Sequence, residues 1–351
     1  MSTLNTYGAL SPRTAAYAVV DLLERGMPFL VFEKYGQAKP LPRRSSKTIK
    51  FRRYYLSMNS TAFSPFAYFQ TDAQNNFSPA EKTLTEGVTP DATKLESTDY
   101  NATLVQFGDR TTITDVIMDT HEDDVLREAI AVLGEQAAII LETARFNILK
   151  AGTNVVYANG SARTDVNTVI SLNDIRNAVR TLKRQLAKPI TSVVKSTPAY
   201  GTEPVAPAYI AVCHPDVEPD LRAISGFVPA EKYGAVTPWE NEIGKIEHIR
   251  FMATTICEPW LGGGAADTTD TVLETSAVSD VYPILIFGRD AYGLVPLKGE
   301  NSVTPMVVNP TPSDSDPMAQ RGHVSWKAYS ATIILNDFWM NRIEVAVSTL
   351  S

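Results

Sequence analysis

Apolar positions change period several times along this chain, and each change marks an element. The clearest is a helical stripe: Leu126, Ile130, Leu133, Ala137, Ile140, Ala144 and Ile148 recur at spacings of three and four. Asp119 or Thr120 can cap its start. Glu122, Asp123 and Asp124 fall in its first turn, where the helix dipole favours negative charge. Lys150 and Gly152 suit its end. The stretch from Asp119 to Gly152 therefore predicts a helix of about 30 residues, about 45 Å long, a spine rather than an ordinary core helix. A second helix is predicted over 172–188. Ile175, Val179, Leu182 and Leu186 face inward, Arg176, Arg180, Lys183 and Arg184 face out, and Pro189 ends it. Ala15, Val19, Leu22 and Leu23 predict a short amphipathic helix in an N-terminal arm, stopped by Gly26 and Pro28.

Alternation of period two marks strands. In residues 47–54, Thr48, Lys50, Arg52 and Tyr54 point one way, and Lys47, Ile49, Phe51 and Arg53 the other. A second strand-like run, LVQFGDRTTITDVI, spans 104–117. Between them, 57–103 is rich in Ser, Thr, Asn and Pro but carries Phe63, Phe66, Tyr68, Phe69 and Phe77, side chains that need a surface to cover. Excursions of this length are usually functional or disordered. YIAVC at 209–213 reads as a buried strand, and Pro215 then opens a short helix holding Val217, Leu221 and Ile224. HIRFMATTI, VYPILIFG, SVTPMVV and YSATIILNDFWMNRIEVAV are strand-like. The order is mixed α+β without a βαβ alternation.

Charge sharpens this picture. The 351-residue chain carries a net charge of −7, which argues against a general nucleic-acid binder. Yet Lys34, Lys39, Arg43, Arg44, Lys47, Lys50, Arg52 and Arg53 follow one another with no acid between them until Asp72. Such a strand is expected to meet an acidic protein surface rather than to grip DNA. Two cysteines cannot make a disulfide framework and fit a reducing cytosol. The N-terminus shows no signal-peptide pattern, and no apolar run is long enough to span a membrane.

Chemistry is sparse. His121, His214, His248 and His323 have no partners at metal-ligand spacing. Cys213 and His214 are adjacent, so on a strand they point to opposite faces. Cys213 is expected in the core and His214 at a helix cap. LGGGAADTTD lacks the Lys-Ser/Thr ending of a phosphate loop. No catalytic, cofactor or metal site is expected, and an enzyme using Cys213 and His214 is the alternative from another class.

KTIKFRRY (47–54), LTEGVTPD (84–91), FGDRTTITDVI (107–117), LGEQAA (133–138), AGTNVVYA (151–158), HPDVEPDLR (214–222), EIGKIEHIRF (242–251), FGRDAYGLVPL (287–297) and DPMAQRGHVSWKAYSATIILNDFWMNRIE (316–344) together resemble the major capsid proteins of tailed phages with the HK-ninety-seven-type fold, in particular the N-four-like podovirus family. The resemblance implies an α+β capsid fold divided into an N-terminal arm (1–44), an extended loop (45–117), a peripheral domain with the spine helix (118–200), an axial domain with connecting strands (201–297) and peripheral return strands (298–351). It implies a shell of hexameric and pentameric capsomers around double-stranded DNA, with a portal, a separate scaffolding protein and a decoration protein as further partners. An encapsulin-like compartment is the close alternative. The insert at 58–80 is longer than the family pattern, and no lysine–asparagine crosslinking pair matches. An extended loop cannot bury its own face. Arg43, Arg44, Lys47, Lys50, Phe51, Arg52, Arg53, Phe66, Tyr68 and Phe69 are therefore expected at contacts between subunits, with Glu122, Asp123 and Asp124 as acidic counterparts.

Overall fold

The structure, a computed structural model, describes residues 30–41, 46–56, 83–89, 95–120, 125–194, 202–233, 238–267, 271–296, 303–308, 310, 312 and 317–350. The N-terminal helix expected around Val19 lies outside these residues.

In order, the elements are β1 (Gln37–Ala38), β2 (Thr48–Leu56), β3 (Leu95–Thr103), β4 (Val105–Thr114), α1 (Asp115–Thr120), α2 (Val125–Leu149), β5 (Val155–Tyr157), α3 (Leu172–Arg184), β6 (Ile190–Val194), β7 (Thr202–Cys213), α4 (Glu218–Ala223), β8 (Val228–Pro229), β9 (Glu242–Ile246), β10 (Ile249–Ala253), β11 (Glu274–Thr275), β12 (Val278–Ser279), β13 (Tyr282–Phe287), β14 (Tyr292–Pro296), β15 (Val303–Val308), β16 (Arg321–Ile334) and β17 (Met340–Val345).

The spine is α2, 25 residues and so about 37 Å long. Its buried face is not quite the one the stripe predicts. Ile130, Leu133, Ala137 and Leu141 pack on Ile113, Val324, Trp326 and Ala328 of a five-stranded sheet. The face then continues through Arg145, Phe146 and Leu149, while Ile148 is exposed. Counting on by four from Ala137 gives Leu141, Arg145 and Leu149. The charged residue hid this continuation; of the predicted stripe, Ile140 still packs against the same cluster, while Ile148 is exposed.

β16 organises that five-stranded sheet. One edge pairs with β4 over Arg321–Ser330; the other pairs first with β15 and then with β14. The second strand-like run (104–117) thus supplies β4 of this sheet, and its last residues, Asp115 to Ile117, are helical. The partner of β2 is β3, an antiparallel strand from the Ser/Thr/Asn-rich stretch.

The larger sheet has eight strands, ordered β5-β17-β13-β7-β10-β9-β8 with β6 added to β7. β7 is buried from Ala208 to Cys213, as YIAVC predicts. The segment 298–351 is shared out: β15 and β16 go to the spine's sheet, and β17 pairs with β13 and β5 in the larger one.

One face of the larger sheet carries α3 and α4, through Ile175, Val179, Leu182, Val217 and Leu221. Ser171 caps α3 reciprocally with Asp174. Its end explains one miss. Leu186 adopts φ 54°, with its amide on the Lys183 carbonyl and the Ala187 amide on the Leu182 carbonyl. This six-to-one closure turns the chain outward, so Leu186 is exposed rather than facing in.

A short turn ties the two sheets together. Between β16 and β17, Leu335 and Asn336 donate their amides to Ala291, and Asp337 accepts the Thr153 amide at 2.9 Å. Trp339 Nε1 donates to the Gln185 carbonyl at 3.0 Å.

Candidate assembly surfaces

The β2/β3 hairpin forms a sheet of its own, nine residues a side and about 30 Å long. Its root is anchored on the body. Ile49, Phe51, Ala102 and Leu104 pack with Leu41, Val295 and Ala331. Phe51 is 6% exposed, and its ring lies over Gly293, where an added Cβ would stand 2.9 Å from Cζ. Lys39 approaches the same ring, and its ammonium donates to the Lys50 carbonyl. Phe51 is therefore a core residue of its own chain. The alternation read from 47–54 is otherwise as expected: Lys50, Arg52 and Tyr54 face solvent. At the far end Tyr54 is 61% and Leu95 62% exposed, as are Leu84 and Val88 in the described part of the intervening excursion.

The hairpin also supplies an acid that the run of cations lacks. Arg52 Nε and Nη2 donate to the two oxygens of Asp99 at 2.7 and 2.9 Å, and Lys50 Nζ lies 3.8 Å away. This fork is the strong geometry for a guanidinium and a carboxylate. The Arg52 hydrogen bonds, then the charges of Arg52 and Lys50, hold the Asp99 carboxyl below the usual aspartate range. Asp99 could have been found from the sequence had β3 been recognised, since Arg52 and Asp99 are directly opposed in register.

Lys47 is exposed and its carbonyl accepts the Leu104 amide at the hairpin root. The Arg53 backbone pairs with Thr98; its side chain, Arg43, Arg44, Phe66, Tyr68, Phe69, Glu122, Asp123 and Asp124 lie outside the described residues.

A second feature was not anticipated. Residues 31–41 form a strap across the body. Val31, Phe32, Tyr35 and Leu41 are buried. Glu142, fully buried on α2, accepts the amides of Val31 and Phe32 at 3.3 and 2.9 Å, and pairs with Arg145 through its other oxygen. Arg145 also donates to Glu33 at 3.1 Å. Burial pushes the Glu142 carboxyl up, against the pull of Arg145 and the Phe32 amide. Tyr292 Oη donates to the Phe32 carbonyl at 2.5 Å, β1 pairs with β14, and Lys34 Nζ meets Glu240 at 2.6 Å. The signal lay in Glu142 and Arg145, charges three residues apart on the continuation of a buried stripe.

Cys213 and His214 do not form a reactive pair. Cys213 is fully buried, with its thiol pushed up to about 12 by burial, and its Sγ donates to the Met252 carbonyl at 3.6 Å. His214 Nδ1 accepts the Asp216 amide and caps the turn that leads into α4, as the sequence suggests.

The family described as phage capsid protein matches residues 97–339. Among solved structures, the capsid of Ralstonia phage GP4 is similar with a TM-score of 0.63 at 12% identity, covering 90% of this chain and 88% of that one. The head of Helicobacter pylori bacteriophage KHP40 follows at 0.59 and 10%, covering 88% and 87%. The capsid asymmetric unit of cyanophage Pam1 scores 0.57 at 10%, covering 92% of each chain. At these identities the likeness is one of fold, and the fold is the mixed α+β, HK-ninety-seven-type capsid fold. No curated protein matches.

Proposed function

This chain belongs to the phage capsid protein family, and we propose that it is the major capsid protein of a tailed phage, assembling through hexamers and pentamers into an icosahedral shell around double-stranded DNA. It is a structural protein and not an enzyme, made in the host cytoplasm and housed in the virion. A portal, a separate scaffolding protein and a decoration protein complete the particle. Within that family we assign it to the N-four-like podovirus group, on the sequence stretches that resemble it.

The hairpin carries this reading. A two-stranded ribbon alone in water is marginal at best. Here the ribbon is rooted by Phe51 and extends to Tyr54 and Leu95 with apolar side chains in solvent. A neighbouring copy supplies the missing surface. Lys47, Lys50, Arg52 and Arg53, together with Arg43 and Arg44, steer and register that docking, while Phe66, Tyr68 and Phe69 add apolar anchors and Glu122, Asp123 and Asp124 receive the cations. Obligate interfaces of this kind run to about 2,000 Å² or more.

Electron microscopy of the purified protein, produced alone and with a scaffolding protein, tests the proposal. Closed shells are expected. A protein that sediments as a monomer under both conditions sinks it.

A further inference from the structure

We propose that Asn159 is a site of spontaneous deamidation that folding closes: in the open chain its side chain loses ammonia, and in the folded subunit it is held back from doing so. The inference stands apart from the capsid reading and concerns the surface loop that follows β5.

Asn159 and Gly160 form the one Asn-Gly pair in the sequence. Glycine has no Cβ to shield its amide, so its nitrogen has the freest path to a preceding asparagine. The step is an internal displacement. The Gly160 nitrogen bonds to the Asn159 side-chain carbonyl carbon and gives up its proton; the bond from that carbon to the side-chain nitrogen breaks, and ammonia leaves. Water then opens the cyclic imide at either carbonyl, leaving aspartate or isoaspartate. Nothing but water is consumed. The loop cannot avoid the hazard by changing the glycine. Gly160 holds φ 70°, and an added Cβ would collide with Asp165. Asp165 is fixed there because its Oδ2 accepts the Ser161 and Ala162 amides at 3.0 and 3.1 Å.

Protection comes from hydrogen bonds rather than burial, since Gly160 and Ser161 are exposed and Asn159 is half-buried. An asparagine side chain offers two donors and two acceptor positions, and here all four are filled. Nδ2 donates to the Asp165 carbonyl at 2.9 Å and to Asn167 Oδ1 at 2.8 Å. Oδ1 accepts the Asn167 amide at 3.1 Å and the Thr168 hydroxyl at 3.3 Å. Attack turns the planar carbon tetrahedral and so pulls Nδ2 and Oδ1 away from these partners. The loop around them is itself tied down. Ala346 donates its amide to the Thr168 carbonyl at 2.9 Å and Ala158 to the Glu344 carbonyl at 3.0 Å, while the Arg163 guanidinium forks onto Glu344 at 2.7 and 2.9 Å. Conversion in an open chain hinders its return. An aspartate at this position turns a carboxylate toward the Asp165 carbonyl and Asn167 Oδ1, acceptors facing an acceptor. The loop thus records how long a chain has stayed unfolded.

The test follows Asn159 by peptide mass spectrometry, with isoaspartate scored separately, in the full-length protein and in a synthetic peptide spanning 155–164. Both are held in the same mildly alkaline buffer. The peptide is expected to convert, and the folded chain to convert at least about tenfold more slowly, because the loop must open first. Asn167→Ala removes one of the four bonds while keeping the backbone amide, and Thr168→Val removes another. Each should speed conversion in the folded chain about fivefold, the change that one hydrogen bond makes to an opening equilibrium. Equal rates in the peptide and the unaltered folded protein overturn the inference. So do variants, folded by circular dichroism, that convert no faster than the unaltered chain. An Asn159→Asp protein reads the consequence directly: its urea midpoint should fall, and an unchanged midpoint overturns the claim that conversion hinders refolding.

Discussion

Glu142 on the spine helix accepts the Phe32 amide at 2.9 Å across 110 residues of sequence, so a buried carboxylate fastens the strap to the body. Removing it leaves the Arg145 guanidinium short of its buried partner and two amides without an acceptor. Glu142→Ala should cost about 3–5 kcal/mol, read as a lower urea midpoint and as new proteolytic cutting within 30–41. Glu142→Gln combined with Arg145→Met should recover most of the loss, because a neutral pair no longer pays for burying charge.

Phe51 sets where the hairpin leaves the body. Phe51→Ala removes a large core side chain and should destabilise by about 3–5 kcal/mol. Gly293→Val is the sharper probe, since it leaves Phe51 in place but drives a side chain into its ring. The expected outcome is a folded subunit, by circular dichroism, whose hairpin amides exchange faster with deuterium and whose shell yield falls. Unchanged exchange in Thr48–Leu56 would contradict the role given to this contact.

Arg52 and Asp99 make the hairpin sensitive to acid. The Asp99 carboxyl titrates below its unfolded value in the folded chain. Its contribution is therefore complete above the ordinary aspartate value and is lost as pH falls through the depressed one. Hydrogen-exchange protection in β2 and β3, taken relative to the intrinsic exchange rate at each pH, should be steady from neutral pH down to the ordinary aspartate value and fall below it. Asp99→Asn should exchange faster at neutral pH and lose that step. A separate charge reversal, Arg52→Glu with Arg53→Glu, should leave the body folded and lower shell yield in electron micrographs.

Cys213 should be inert. With the thiol fully buried and raised to about 12, it should not react with a thiol reagent at neutral pH until the protein is denatured. Cys213→Ala should cost about 1 kcal/mol and leave shell formation unchanged in micrographs. Loss of assembly on that substitution would point to a role beyond packing.

Period and caps made much of this fold legible. The spine, α3, the buried strand ending at Cys213 and the cap at His214 follow from spacing and from Pro215. The hairpin partner did not, because β3, LESTDYNAT, has almost no apolar face to alternate. It is held by backbone pairing, by the fork at Asp99 and by Ala102 at the root, and none of these produces a periodic signal. The strap was hidden for a related reason. Its anchor is a charge pair on a face where apolar residues are the usual expectation. The departure of Leu186 came from a left-handed residue that is usually glycine.

The turn between β16 and β17 has a mechanical consequence. It is only a few residues long, yet it is cross-tied to Ala291, Thr153 and Gln185. A joint braced in three directions is a poor hinge, so the two sheets tilt as one tile. Where identical tiles must fit together at unequal angles, the bending falls to parts outside that braced body, and the β2/β3 ribbon, a sheet of its own, is such a part.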